Sequence, residues 1–318
     1  MNKLRQIVLL VGAVLLLAGC QRRPIEAEYL RVYLDLTIDR EVVNYKVGEK
    51  EPGLMRVVFF DQFTGEYLSH DFVSDEGGYI FAPYGNVDMV VYNVESGNTH
   101  IRNYYSYTGI EAYTDEATPQ QRGVFSRYLQ SREESSPSYA KICVTPGHLF
   151  VARKQGITIP RHISQEAFVI QATAETVVES WTVTLDNVSG LQWVGAVSMM
   201  ISGQSATSFI ATDTPSTESI ALYFDAATAS RENSTLSSRF ETFGREFSSG
   251  DPALLSVLFT DVQGHPYLYN FNVSSQMEDN PEQHIHISYP VDIPKPTDGG
   301  GFRPEVDDWN EFIYDVII

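Results

Sequence analysis

The stretch YLRVYLDLTI, Tyr29 to Ile38, alternates apolar and polar side chains, and the same period of two recurs through most of the chain that follows. Successive side chains on a strand point to opposite faces, so this rhythm builds sheets with one buried face. A helical bundle needs a period near 3.6, and no stretch after the first twenty residues sustains one. LMRVVFFDQFTGEYLSHDFV reads as a hairpin, with an apolar strand Leu54 to Phe60, turn residues Asp61 to Gly65, and a return strand to Val73. GGYIFAPYGNVDMVVYN adds strands around Ile80 and Val90, joined by the turn sequence Pro83-Tyr84-Gly85-Asn86. Short strands at this spacing predict an all-β sandwich.

Between Asn103 and Tyr139 the rhythm fades, and DEATPQQRG and SREESSPS are polar enough for a loop or long insertion, with one or two helical turns over Gly123 to Gln130. Strands resume at KICV and HLFVARK, and the length of the chain favours two units over one. The boundary is expected near Ile157 to Gln165, giving an all-β unit over 29–160 and a second over 161–296. An internal echo agrees. VVFFDQFTGEYLSHDFV (57–73) and VLFTDVQGHPYLYNFNV (257–273) share an apolar strand, an Asp at 61 or 261, a Gly at 65 or 264, a Tyr-Leu pair and a final Val. Either a duplication or shared turn chemistry accounts for it. Pro290, Pro294 and Pro296 close the second unit, and 297–318 is a separate arm, in which TDGGG is a flexible joint before EFIYDVII. That closing strand, Phe312, Ile313, Tyr314, Val316, Ile317 and Ile318 with Asp315 among them, completes either its own sheet or a neighbour's.

The amino terminus has the form of an export signal: Lys3 and Arg5, an apolar run from Ile7 to Leu17, then small residues before Cys20. Leu17-Ala18-Gly19-Cys20 resembles the lipobox of bacterial lipoproteins. That resemblance implies a signal over 1–19, acylation of Cys20, of which palmitate is one form, and a lipidated tether over 20–28. Multiple acyl chains anchor a protein stably, since each buried methylene contributes about 0.8 kcal/mol. The signal carries two basic residues and no acid, so the formal charge moves from −19 for the whole chain to −21 for the mature one. Such a charge repels phosphate backbones, so nucleic acid is not an expected partner. Only Cys143 remains after Cys20, so no intrachain disulfide framework is expected.

Signature loops for hydrolases, nucleotide binding and zinc proteases are absent from the sequence, and the chain reads as non-enzymatic, without catalytic residues, cofactor or metal. His284 and His286, two apart on a strand, face one side and reach one metal with Asp279 or Glu282 nearby; alternatively they are polar positions between buried Ile285 and Ile287. Cys143 in KICV suits a small buried hydrophobe. The aromatics of NYYSYTGIEAY (Tyr104, Tyr105, Tyr107 and Tyr113), with Trp181, Trp193 and Trp309, offer stacking platforms for a glycan, though aromatics in a β-rich chain also form core and cross-strand pairs.

The lipobox, MRVVFFDQFTGEYLSHDFV, YIFAPYGNVDMVVYN, AVSMMISG and GGGFRPEVDDWNEFIYDVII together resemble the fimbrillin-like lipoproteins of the Bacteroidales, which include fimbrial anchor and accessory subunits and a related set of uncharacterised Bacteroides lipoprotein domains. The resemblance covers most of the mature chain. It implies two tandem transthyretin-like β-sandwich modules, no enzymatic activity, and assembly with other fimbrial or envelope subunits by strand exchange. Shaft subunits of that family lose an amino-terminal strand by cleavage after an arginine, whereas anchors keep theirs. Arg22, Arg23, Arg31 and Arg40 all follow Cys20, so cleavage at any of them would sever the lipid, and an anchor or accessory role at the outer membrane is the expectation. The residues after Cys20 are QRRP, with the first acid at Glu26, which leaves open whether the protein faces the surface or the periplasm.

Overall fold

The alternation of the first strand sets one core: Val32, Leu34, Leu36 and Ile38 are buried, while Tyr29, Arg31 and Asp35 are exposed. The computed structural model describes residues 28–45, 51–129, 141–162, 167–225, 228–230, 234–245, 250–296 and 312–316. In chain order the strands are β1 (Tyr29–Ile38), β2 (Leu54–Asp61), β3 (Tyr67–Ser74), β4 (Gly78–Pro83), β5 (Gly85–Asn93), β6 (Thr99–Arg102), β7 (Glu111–Thr114), β8 (Ile142–Val144), β9 (Phe150–Ile159) and β10 (Val169–Thr176). They continue as β11 (Glu179–Ser189), β12 (Val194–Ser205), β13 (Thr207–Phe209), β14 (Thr214–Pro215), β15 (Ser219–Asp225), β16 (Thr228–Ser230), β17 (Thr235–Thr242), β18 (Leu254–Asp261), β19 (Pro266–Asn272), β20 (His284–Asp292) and β21 (Phe312–Val316). Helix α1 spans Pro119–Leu129 and α2 spans Ser274–Met277.

The chain is all-β, as its periodicity predicts. A seven-stranded sheet in the order β3-β2-β5-β9-β10-β1-β4 curls so that one face of all seven strands encloses a single core, including Leu34, Phe59, Ile80, Met89 and Phe150. A four-stranded sheet, β16-β17-β11-β20, packs on a six-stranded one, β21-β19-β18-β12-β15-β8, and Val183, Phe240, Phe259, Phe271 and Ile285 fill the space between them. Burying large apolar side chains of this kind stabilises by about 1.5–3 kcal/mol each.

Several segments run across the plan read from the sequence. Strand β10, beyond the expected boundary near Ile157 to Gln165, pairs in parallel with β1 and antiparallel with β9, so it belongs to the first sheet. The stretch from Asn103 to Tyr139, expected as loop with a turn or two of helix, contains β7 and the eleven-residue α1. Strand β8 pairs in parallel with β15 of the second half, and β13 pairs with β7, so a small sheet β14-β13-β7-β6 joins the halves. A third core lies at that junction, where Val58, Phe60 and Tyr92 meet Ile110, Leu149, Ile210 and Phe243. Asn44 adds a polar link, donating to the carbonyls of Ser180 at 2.6 Å and Gln283 at 3.2 Å.

Candidate assembly site

The C-terminal strand occupies the outer edge of β19. Pairing is parallel, with Phe312 in register with Tyr267, Ile313 with Leu268, Tyr314 with Tyr269, Asp315 with Asn270 and Val316 with Phe271. Strand β19 is held in place from its other side. Tyr267, Tyr269 and Phe271 enter the sandwich core, Tyr269 and Phe271 stack at 6.4 Å, and the Tyr269 hydroxyl donates to the Asp292 carbonyl at 3.1 Å. Ser256 donates to Asn270 Oδ1 at 2.7 Å. The edge offered to β21 is therefore a rigid row of main-chain groups, and such a row accepts any strand of suitable length. Here it accepts the chain's own. Ile317 and Ile318 lie outside the described residues, as do Cys20 and Trp309.

The corresponding edge of the first half is closed by nearby chain. Tyr67 N–H donates to the Tyr105 carbonyl at 3.0 Å, Tyr107 N–H to the Gly65 carbonyl at 2.8 Å, and Ser74 bridges Gly77 at the other end. Between them Asp71 Oδ2 accepts the Phe81 N–H at 2.9 Å. That carboxylate stands where a ladder partner would be, and no period or motif in the sequence marks it.

The loop that closes this edge also gathers aromatics. Tyr104 and Tyr105 lie 4.3 Å apart, and Tyr67 contacts both at 6.2 and 5.8 Å. His70 lies 5.6 Å from Phe72, and the Arg56 guanidinium lies over Tyr104 at 4.7 Å. Tyr105 is 65% exposed. Tyr107 is instead buried against Phe60, and Tyr113 lies under Arg102. Trp181 is a core residue rather than a platform, its Nε1 donating to Glu179 at 2.8 Å, and Trp193 lies under Lys295.

The remaining reactive side chains have structural partners. His286 Nε2 meets Asp186 Oδ2 at 2.5 Å and His284 Nε2 meets Thr184 Oγ1 at 3.0 Å. The hydrogen bond from His286 holds the Asp186 carboxyl below its usual value. Asp279 and Glu282 do not join these rings in a metal-ligating group of three among the described residues. Burial pushes the Cys143 thiol up to about 11, which leaves little thiolate at neutral pH. Burial also pushes Glu241 up to about 7, and Tyr45 donates to its carboxyl. Among the described residues no helix is long and apolar enough to cross a membrane.

Comparison with known proteins gives these features a setting. A family model described as "Domain of unknown function (DUF5119)" matches residues 19–225. A Bacteroides ovatus protein named "Putative fimbrium anchoring subunit Fim4B" is 25% identical over 337 aligned positions, spanning 95% of this chain and 94% of that one. Among solved structures, a "putative adhesin" from Bacteroides ovatus superimposes with a TM-score of 0.61 at 23% identity, over 88% of this chain and 98% of that one. The fimbrial anchor protein Mfa2 of Porphyromonas gingivalis superimposes with a TM-score of 0.50 at 13% identity, over 81% and 90%. At these identities the two structures speak to the fold. Together the matches bear out the resemblance to fimbrillin-like proteins of the Bacteroidales.

Proposed function

The chain belongs to the DUF5119 domain family, and from that premise we propose that it is a fimbrial anchor or accessory subunit, held at the outer membrane by lipid on Cys20 and joined to other subunits by strand exchange. The observation that carries this reading is the strand Phe312–Val316 on the edge of β19. It follows the joint Gly299 to Gly301, and main-chain pairing does not distinguish a chain's own strand from a neighbour's. The anchoring role named for the Bacteroides ovatus relative, aligned along nearly the whole chain, supports the same role here.

The chain is then a lipoprotein with a signal over 1–19 and two transthyretin-like modules. The strand pairing favours a division after Thr176 over one at residue 160, since β10 lies in the first sheet. The role is non-enzymatic, and the partners are fimbrial or envelope subunits.

The test is size-exclusion chromatography with light scattering on a soluble form starting at Gln21, beside one truncated after Gly301. Oligomers of the longer form and a folded monomer of the shorter one support intermolecular exchange. Two monomers, with a lower melting temperature after truncation, make the strand the chain's own and remove exchange from the proposal.

The aromatic cluster favours a second reading, binding of a surface glycan at Tyr67, Tyr104 and Tyr105. Saturable polysaccharide binding that is lost in Tyr104→Ala/Tyr105→Ala would support it; a polysaccharide panel with no saturable binder would remove it.

A further inference from the structure

The outer face of β10, β1 and β4 carries a patch that neither assembly nor the aromatic loop uses. Register places Val169, Tyr33 and Tyr79 in one row, Arg31 beside Phe81 in the next, and Tyr29 beside Pro83 in the last. Tyr29 is 42% exposed, Val169 50%, Tyr79 54% and Phe81 58%. The rings are ordered against one another: Tyr33 meets Tyr79 edge-on at 5.1 Å, and the Arg31 guanidinium lies 4.0 Å over Tyr79.

The outward side chains of these three strands change character along β1. Within these three strands the rows from Tyr29 to Tyr33 hold no acid, with Asp71 of β3 accepting the Phe81 N–H beside them, whereas Asp35 beside Gln171 begins a polar stretch that continues through Thr37, Thr173 and Glu175. The apolar end is the one at which the amino-terminal tether arrives. At the same end of the sheet stand Phe63, 79% exposed in the β2–β3 turn, and Arg161, which with Phe63, Leu68, Pro83, Glu28 and Asp61 lines a hollow of about 420 Å³.

The nine residue steps from Cys20 to Tyr29 reach at most about 32 Å, so a lipid on Cys20 keeps the start of β1 within about that distance of the bilayer. Arg22 and Arg23 lie in that segment. Tyrosine suits the membrane interface, having an apolar ring and a hydroxyl that stays wet, and arginine beside it pairs with lipid phosphate. A monomer gains nothing from exposing a patch of this kind to water.

We propose that the face formed by Tyr29, Arg31, Tyr33, Tyr79, Phe81 and Val169 rests on the phospholipid interface of the membrane that holds Cys20. The inference rests on the lipid-anchor reading above and adds an orientation to it. The first sheet lies against the bilayer, and the acidic end of β1 points away from it.

The test uses the full-length acylated chain in vesicles of phosphatidylethanolamine and phosphatidylglycerol carrying a photoactivatable phospholipid. The vesicles are floated, irradiated and digested, and lipid adducts are mapped by mass spectrometry. Peptides holding Tyr29 to Tyr33 and Tyr79 to Phe81 are expected to carry several-fold more adduct than the peptide holding His265, whose side chain is 60% exposed on the second half. In Tyr79→Ser/Phe81→Ser, which alters only exposed positions, the adducts on β1 are expected to fall several-fold at an unchanged melting temperature. A chain that floats with adducts confined to residues before Tyr29, or spread evenly, overturns the docking and leaves the anchor standing. A chain that does not float overturns the anchor, and the docking with it.

Discussion

Residues 57–73 and 257–273 fold into hairpins with the same turn chemistry, yet positions 69 and 71 are Ser and Asp where 269 and 271 are Tyr and Phe. In the first turn Asp61 Oδ1 accepts the N–H groups of Phe63 and Thr64, each at 2.9 Å; in the second Asp261 Oδ1 accepts those of Gln263 and His265, each at 2.8 Å. Gly65 and Gly264 both take positive φ, 70° and 91°, which a side chain would resist. The return strands then diverge. Strand β3 ends a sheet that curls toward β4, so beyond the buried Val73 its inward positions Ser69 and Asp71 are polar, and Asp71 serves the Phe81 N–H. Strand β19 faces a second sheet across the sandwich, so its inward positions are aromatic and its edge is left to β21. The difference teaches that an edge closed by its own neighbourhood is finished, whereas one closed by a remote segment is available to other strands.

The sharpest break of this comparison is a pair of phenylalanine truncations, one on each return strand, at an inward position of β19 and an outward one of β3. Phe271→Ala empties a fully buried site and is expected to cost about 3–5 kcal/mol in urea unfolding. Phe72→Ala, at a 45% exposed position, is expected to stay within about 0.5 kcal/mol. Equal losses would contradict the contrast between the two strands.

Deleting residues 302–318 comes next. Hydrogen exchange of β19 amides is expected to speed up markedly while β3 amides keep their protection, because only β19 has a removable partner. Unchanged exchange in β19 would mean that β21 does not cover that edge.

A smaller effect is expected at the side chain that closes the first edge. Asp71→Ala leaves the Phe81 N–H without its acceptor and is expected to cost about 1 kcal/mol, and Asp71→Asn less, since its amide oxygen still accepts. Melting curves of the two variants measure the difference.

The smallest expected effect is on the acid limb of stability. The N–H groups of Thr64 and Phe63 hold Asp61 below its ordinary value. Burial pushes Asp261 up, but the His265 and Gln263 hydrogen bonds together bring it below. A carboxyl lowered in the folded state contributes stability that is present above its unfolded pKa and lost as pH falls through the folded one. Urea midpoints taken between about pH 5 and about pH 2 should therefore fall less steeply in Asp261→Asn than in the wild type. Asp61→Asn should change the slope less, because the Asp261 side chain is 1% exposed and Asp61 sits in an open turn.

Local pattern alone determined a good deal. The period of two marks β1 over its full length, the apolar run ending in Asp61 marks the β2–β3 hairpin, and the recurrence of Asp and Gly marks its counterpart near residue 261. These features depend on φ, ψ and side-chain direction within a few residues, which local sequence controls. Only the tertiary structure decided that β10 joins the first sheet, that β8 and β13 cross between halves, that Trp181 is core, and that Asp71 and β21 close the two edges. Main-chain donors and acceptors are the same on every strand, so which strands pair depends on what the rest of the chain packs against them, and no short stretch of residues carries that information.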